Sequence, residues 1–336
     1  MQQVLNKVMK RCDLTRHEMA AVMDAIMTGS VPPAQIAALL TALRMKGESV
    51  SEITGAAQAM RKHAVFIDAG ARTVVDTCGT GGDGLHTFNI STAAAFVTAG
   101  AGVCVAKHGN RAVSSKCGSA DVLMALGVKV DATPEVIEQC IQEHGIGFLF
   151  APNMHPAMKH AMPVRRELGF RTIFNMLGPL TNPAAATGQV LGVFAPELTE
   201  VFAHVLKELG ARRALVVYGM DGMDEITVTG PTRVCELRDG VIRTYELSAE
   251  LLLGETFTAA ELAGGDAVQN AEILRAVLLG SELGAPRKIT LLNAAAAIVA
   301  GEKADRIEDG LALAEESINS GAAFRKLEAL IDASNG

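Results

Sequence analysis

Four glycines within six positions stand directly after Val74-Val75-Asp76, the first strand-like run of the chain, in the stretch Cys78-Gly79-Thr80-Gly81-Gly82-Asp83-Gly84. A backbone this rich in glycine turns where other residues cannot, and it can aim successive N–H groups inward at a diphosphate. Gly79, Gly81 and Gly84 also satisfy G-x-G-x-x-G. A dinucleotide site needs more than that pattern: a helix that opens at once, and an acid about 20 positions on to hold the ribose. Here Thr87-Phe88-Asn89-Ile90-Ser91-Thr92 intervenes, and the next strand runs into Lys107-His108, so a base stands where an acid is called for. No Gly-Lys-Ser/Thr follows either, which excludes a Walker loop. On the glycines alone, a tight turn without a ligand is the simpler reading.

The glycine run also marks a change of texture. Residues 1 to about 65 carry apolar side chains at the 3.6-residue period of helices. Thr15 with Glu18 three residues on reads as an N-terminal cap, followed by an apolar face of Ala20, Met23, Ile26 and Met27. Further helices are expected from near Pro33 to Gly47 and from Ser51 to about His63. After Val74, short β-branched runs at Val103–Ala106, Gly147–Phe150, Gly188–Phe194 and Ala214–Tyr218 alternate with helical stretches such as Pro134–His144 and Pro196–Leu209. The expectation is an α/β fold: a small all-helical N-terminal subdomain plus a larger α/β domain with a mainly parallel central sheet. Pro163–Pro183, punctuated by Pro and Gly and carrying three arginines, is a candidate to return to the helical subdomain.

Charge narrows the function. With 30 Lys and Arg against 37 Asp and Glu, no Trp and two Tyr, the chain lacks the cation excess and stacking platforms of a general nucleic-acid binder. Yet no Asp or Glu occurs between Gly84 and Ala120, while Lys107, Arg111 and Lys116 do. The Asn89-Ile90-Ser91-Thr92 run opens an Ala-rich helix, whose free N–H groups and hydroxyls suit an anion. Lys107 to Ser115 follows the second strand, and loops after consecutive parallel strands share the carboxyl edge where α/β sheets bind ligands. A polyphosphate brings magnesium, and Asp224-Glu225 lies just beyond the Ala214–Tyr218 strand at the same edge. Arg165-Arg166 with Arg171 offers a planar fork for a carboxylate, the plainer alternative being a salt-bridged helix surface. The six cysteines form no C-x-x-C pair and no apolar leader opens the chain, so free thiols in a cytoplasmic protein are expected.

Taken in order and spacing, Gly79–Asp83, Asn89–Thr92, Lys107–Arg111, the Arg165-Arg166-Glu167-Leu168-Gly169 to Asn182-Pro183 segment and Asp224-Glu225 resemble the anthranilate phosphoribosyltransferase family of tryptophan biosynthesis. The resemblance implies a helical subdomain (1–70, with a returning segment near 163–185), an α/β domain (71–162 and 186–336), a homodimer, and Mg2+ as cofactor. The N-terminal helices, rich in exposed-looking Met and Leu for so short a segment, place the dimer interface on the helical subdomain. It assigns Gly79, Gly82, Asp83, Thr87, Asn89, Ile90, Ser91 and Thr92 to 5-phosphoribosyl 1-pyrophosphate. The same donor is assigned Lys107, His108, Gly109, Asn110, Arg111, Ala112, Val113, Ser114, Ser115 and Ser119. Gly79, Asn110 and Arg165 would face anthranilate, and Ser91, Asp224 and Glu225 would hold the metal. Displacement at the anomeric carbon needs charge neutralisation and positioning more than a base, and no catalytic dyad is nominated. The alternatives are a pyrimidine nucleoside phosphorylase and a non-catalytic family member that binds nucleic acid through the same groove.

Overall fold

The structure is a computed structural model that describes residues 1–70, 73–112 and 116–336. The chain opens with α1 (Gln2–Met9), α2 (Arg16–Met27), α3 (Pro33–Lys46) and α4 (Val50–Lys62). Their ends follow local chemistry. Thr15 and Glu18 form a reciprocal capping box on α2, Ser49 and Glu52 form another on α4, and Pro33 opens α3, which stops at Gly47 with φ of 88°. Met19, Met23, Ile26, Met27, Leu39, Leu40 and Leu43, which in sequence look like surplus apolar surface, are buried in the protein's own core.

Then follow β1 (Val74–Asp76), α5 (Ile90–Gly100), β2 (Cys104–Gly109), α6 (Ser119–Ala125), α7 (Pro134–His144) and β3 (Ile146–Phe150). After the short α8 (Ala151–Met154), α9 (Met162–Leu168) and α10 (Phe174–Leu177) come β4 (Gly188–Gly192), α11 (Leu198–Glu208), β5 (Arg213–Gly219), β6 (Pro231–Arg238) and β7 (Val241–Ser248). The chain closes with α12 (Ala249–Leu253), α13 (Ala267–Leu278), α14 (Ala285–Ala300), α15 (Ile307–Asn319) and α16 (Ala322–Asn335).

The strands form one sheet in the order β3-β2-β1-β4-β5-β6-β7. β1 to β5 pair in parallel, and β6 and β7 add antiparallel strands at one edge. That hairpin is not among the strands expected from sequence, although Asp239-Gly240 between two alternating runs announces it: both residues take positive φ, 49° and 78°, as a tight two-residue turn demands. Alternate residues of the central strands face two different cores. Val190, Leu215 and Val217 pack with the Ala-rich α5 and α14, whereas Leu191 and Val216 pack with the N-terminal helices and with Val164, Phe174 and Leu177. The chain builds outward in one direction from β1 through β2 and β3, then in the other from β4. The loops after β1 and β4 therefore leave neighbouring strands at the point where the order reverses, the place at the strands' carboxyl ends whose crevice takes ligands in open α/β sheets.

Candidate active site

Three backbones meet in that crevice. Thr80 donates to the Gly192 carbonyl from its N–H (2.8 Å) and its hydroxyl (3.3 Å), tying the glycine loop after β1 to the end of β4. A Cβ on Gly192 would lie 1.5 Å from the Asp224 carbonyl oxygen, and one on Gly79 would lie 3.0 Å from Gly192 O and 3.4 Å from Asp224 Oδ2. Glycine at 192 is the condition for the loop after β5 to reach the site. Gly81, Gly82 and Gly84 take φ of 68°, 84° and 77°. The Arg171 guanidinium donates to the Gly82 carbonyl and stacks 4.4 Å over the Phe194 ring, so it buckles the glycine loop rather than standing free for a carboxylate.

On the β1–β2 side the cationic segment is internally bonded, and Lys107, His108 and Gly109, expected in the loop after the second strand, lie on β2 itself, which runs on to pair with β3. The buried Lys107 ammonium donates to Thr77 O (3.2 Å), Thr77 Oγ1 (3.1 Å) and Ser91 Oγ (3.2 Å), placing its charge at the first turn of α5. Asp121 accepts the N–H groups of Ala112 and Gly118, both at 2.9 Å, and Ser119 Oγ donates to Asn110 O at 3.2 Å. The residues between, Val113, Ser114 and Ser115, lie outside the described residues. Ile90, Ser91 and Thr92 fall in the first turn of α5, and Asn89 is its N-cap. The Asn89 side chain is spent on Cys117 and Asn270: Oδ1 accepts from Asn270 Nδ2 (3.0 Å) and Cys117 Sγ (3.3 Å). Thr87 pairs with Ala263 across a single antiparallel bridge.

The β4–β5 side is acidic. Asp224 and Glu225 are half-buried, and burial raises both carboxyls well above their ordinary range. Asp83 on the glycine loop raises Asp224 further, and Asp224 does the same to Glu225, which also meets the Ser91 hydroxyl. Three carboxylates with a hydroxyl beside them are oxygen donors crowded against their own repulsion, which is the donor set of a hard divalent cation. Asp83, assigned to the donor substrate from sequence, belongs electrostatically to this cluster.

The acceptor candidates are on a third wall. Arg165, on α9, is half-buried with its guanidinium 5.3 Å over the Phe174 ring, and among the described residues it has no ion pair. Burial lowers its pKa. Among the described residues no hydrogen bond joins Arg165 to Gly79 or Asn110. His108 donates to the Gly178 carbonyl through Nδ1 (3.1 Å) and stands edge-on to His155, ring centroids 5.0 Å apart. Burial holds both neutral, with pKa values pushed down to about 3 and about 4. Beneath them Asp76 accepts the His108 N–H (3.1 Å) and the Asn182 amide (2.7 Å). Asp76, Cys78 and His108 bring one ligand atom each within 4.8 Å of the others. Asp76 is already bonded and burial pushes the Cys78 thiol up, while His108 bonds Gly178 through Nδ1 and keeps its buried Nε2 without a hydrogen-bond partner among the described residues. A hollow of about 430 Å3 at the opposite, amino end of the strands is no rival. There α5, α7 and α14 end, and Lys326 already bonds the His144 carbonyl at 2.5 Å, so its cations answer helix C-termini.

A crevice with a glycine cradle and fixed cation on one side and clustered carboxylates on the other suits a transferase whose donor carries both phosphate and metal. The family models agree on that class: residues 71–324 match the α/β domain, and residues 2–64 the helical bundle domain, of a glycosyl transferase family. The chain is 58% identical over 330 residues to anthranilate phosphoribosyltransferase of Desulfosudis oleivorans (98% of this chain, 97% of that one) and 58% identical over 332 residues to that of Anaeromyxobacter sp. strain K (99% and 98%). Among solved structures, the anthranilate phosphoribosyltransferase of Thermus thermophilus superposes with a TM-score of 0.94 at 44% identity over 99% of both chains. The Saccharomyces cerevisiae enzyme in complex with phosphoribosyl pyrophosphate and Mg gives 0.89 at 28% identity, covering 100% of this chain and 99% of that one. The chain belongs to the anthranilate phosphoribosyltransferase family. These relatives lend no support to the phosphorylase or nucleic-acid-binding alternatives.

Proposed function

We propose that this chain transfers 5-phosphoribose from 5-phosphoribosyl 1-pyrophosphate to the amine of anthranilate, giving N-(5-phosphoribosyl)anthranilate and pyrophosphate in tryptophan biosynthesis. The observation that carries the reading is the meeting of the Gly79–Gly84 loop, Lys107 and the Asp83–Asp224–Glu225 cluster in one crevice, in a member of this family. Mg2+, when bound, neutralises the pyrophosphate as it departs. Asp224, Glu225 and Ser91 would hold it. Lys107 and the N–H groups of the glycine loop and of the first turn of α5 bind the donor's phosphates. Arg165, Asn110 and Gly79 hold anthranilate with its amine toward the anomeric carbon. The C–N bond forms as the C–O bond to pyrophosphate breaks; the electron pair leaves with pyrophosphate, and the amine proton is shed to solvent. An aryl amine is nucleophilic when neutral, so the residues' work is orientation and charge. Mixing the protein with anthranilate, the phosphoribosyl donor and Mg2+ should quench anthranilate fluorescence. Loss that persists in excess chelator removes the metal from the reading, and no loss removes the activity.

We also propose a homodimer through the helical subdomain, in the cytoplasm. Its support is narrower than the sequence suggested, because the buried Met and Leu side chains serve the protein's own core. Met9 and Met45 remain exposed, at 64% and 72%. Light scattering at micromolar concentration should give twice the chain mass; a monomer mass, or a dimer unaffected by Met9→Glu with Met45→Glu, removes this interface.

A further inference from the structure

Ile226, directly after the carboxylate pair, is held by a side chain where a neighbouring strand would ordinarily hold it. Asn293 of α14, 2% exposed, accepts the Ile226 N–H at 2.9 Å and donates to the Ile226 carbonyl at 2.9 Å. Its second amide hydrogen goes to the Ile289 carbonyl one turn back, also at 2.9 Å, so every polar group of this carboxamide is committed. On the other flank the Asp224 backbone rests against Gly192, where a Cβ would lie 1.5 Å from the Asp224 carbonyl oxygen. The turn before the pair is buckled by Asp221, which accepts from Met223 N (3.1 Å), Thr227 Oγ1 (2.6 Å) and the Thr229 hydroxyl.

These contacts converge on the two residues whose carboxylates repel each other and Asp83. A loop free to relax would swing such carboxylates apart into solvent. Anchoring the backbone to a buried helix removes that escape and keeps the oxygens converged before a cation arrives. We propose that Asn293 is a positioning residue for the metal site, setting how closely Asp224 and Glu225 converge and hence the affinity for the divalent cation. The proposal rests on the reading of that pair as metal ligands.

The test is Mn2+ binding, followed by the EPR signal of the free ion, with the phosphoribosyl donor saturating and anthranilate absent. Asn293→Leu keeps the volume and removes both bonds to Ile226. It should weaken Mn2+ binding five- to twenty-fold and raise the Mg2+ concentration for half-maximal activity to match, with the KM for anthranilate unchanged within twofold. Asn293→Ser, which keeps a hydroxyl for the helix, is the variant to read if Asn293→Leu does not fold. A purely structural role would lower the melting temperature and the active fraction while leaving Mn2+ affinity and both KM values at wild type, and that result overturns the proposal. Asp224→Asn with Glu225→Gln separates the two layers. If it binds Mn2+ like wild type, the ligand assignment fails and the proposal falls with it. If it loses Mn2+ while Asn293→Leu does not, the proposal alone is wrong.

Discussion

Asp76 and the Asp224–Glu225 pair are both carboxylates withdrawn from water at the carboxyl edge of one sheet, but they are treated in opposite ways. Asp76, on the β1–β2 side, is fully buried and receives the His108 N–H and the Asn182 amide, with Lys107 close behind. Asp224 and Glu225, on the β4–β5 side, are only half-buried, yet each faces another carboxylate. Burial is the first cause at all three carboxyls, and Lys107 draws on Glu225 as it does on Asp76; what sets the pair apart is the neighbouring carboxylate that adds to burial. Burial by itself is therefore a poor guide to function: a buried charge that has been given partners is a structural pin, whereas one left facing its own kind is a site short of a cation.

The largest effect should come from removing the unsatisfied side. Asp224→Asn with Glu225→Gln keeps shape and removes both charges. It should lower kcat by about 100-fold or more, as losing a preorganised charge partner of the transition state does, with the KM for anthranilate nearly unchanged. Steady-state kinetics at saturating Mg2+ measures both. A double variant of normal kcat would mean that the strain at this pair serves no catalysis and that the contrast with Asp76 is accidental.

Arg165 sharpens the comparison from the acceptor wall, because it is a half-buried cation without an ion pair among the described residues, the mirror of the carboxylate pair. Arg165→Ala should raise the KM for anthranilate ten- to a hundredfold, about the 1.5 to 3 kcal/mol of a charge-assisted hydrogen bond, and leave the KM for the phosphoribosyl donor nearly unchanged. Arg165→Lys should recover only part, since an ammonium supplies charge without the planar fork. A defect falling mainly on the donor would move this arginine to the phosphate side.

What the sequence made legible follows the same divide. Local chemistry is readable: β1 at Val74–Asp76, α7 at Pro134–His144 and the Thr15–Glu18 cap appear as expected, because period, Pro and capping residues are encoded within a few positions. The glycine loop, the charge gap up to Ala120 and Asp224-Glu225 stand out for the same reason. What stayed hidden is bonding between segments distant in sequence. Asn182 reaches Asp76 across 106 positions, and Arg171 reaches the Gly82 carbonyl across 89. The arginine group at 165–171 therefore looks like one carboxylate fork although its members do different work. The strain at Asp224 needs Asp83 beside it, which only the fold supplies. The β6–β7 hairpin escapes the sequence reading despite a local signal, Asp239-Gly240.

The smallest expected effect is on stability, and it tests the satisfied side. Burial raises the Asp76 carboxyl from an ordinary 3.8 to about 6, with Asn182, Lys107 and the His108 N–H pulling the other way. The folded state thus holds this proton more tightly than the unfolded chain does. Its contribution is fully present below about pH 4 and is lost as pH rises through about 6. Asp76→Asn cannot ionise and has no such slope, although it leaves one of the two donors, His108 N–H or Asn182 Nδ2, without an acceptor. Asp224, Glu225, His108 and His155 titrate in both proteins and cancel to first order in the difference. Denaturant unfolding of each at pH 4.5 and 7.5 should show the variant gaining on wild type by about 2 kcal/mol across that interval, the linkage expected for a pKa near 6. A difference that stays constant would mean that Asp76 is ionised in the folded protein throughout. Its partners would then outweigh its burial, and the pin would be stronger than its surroundings imply.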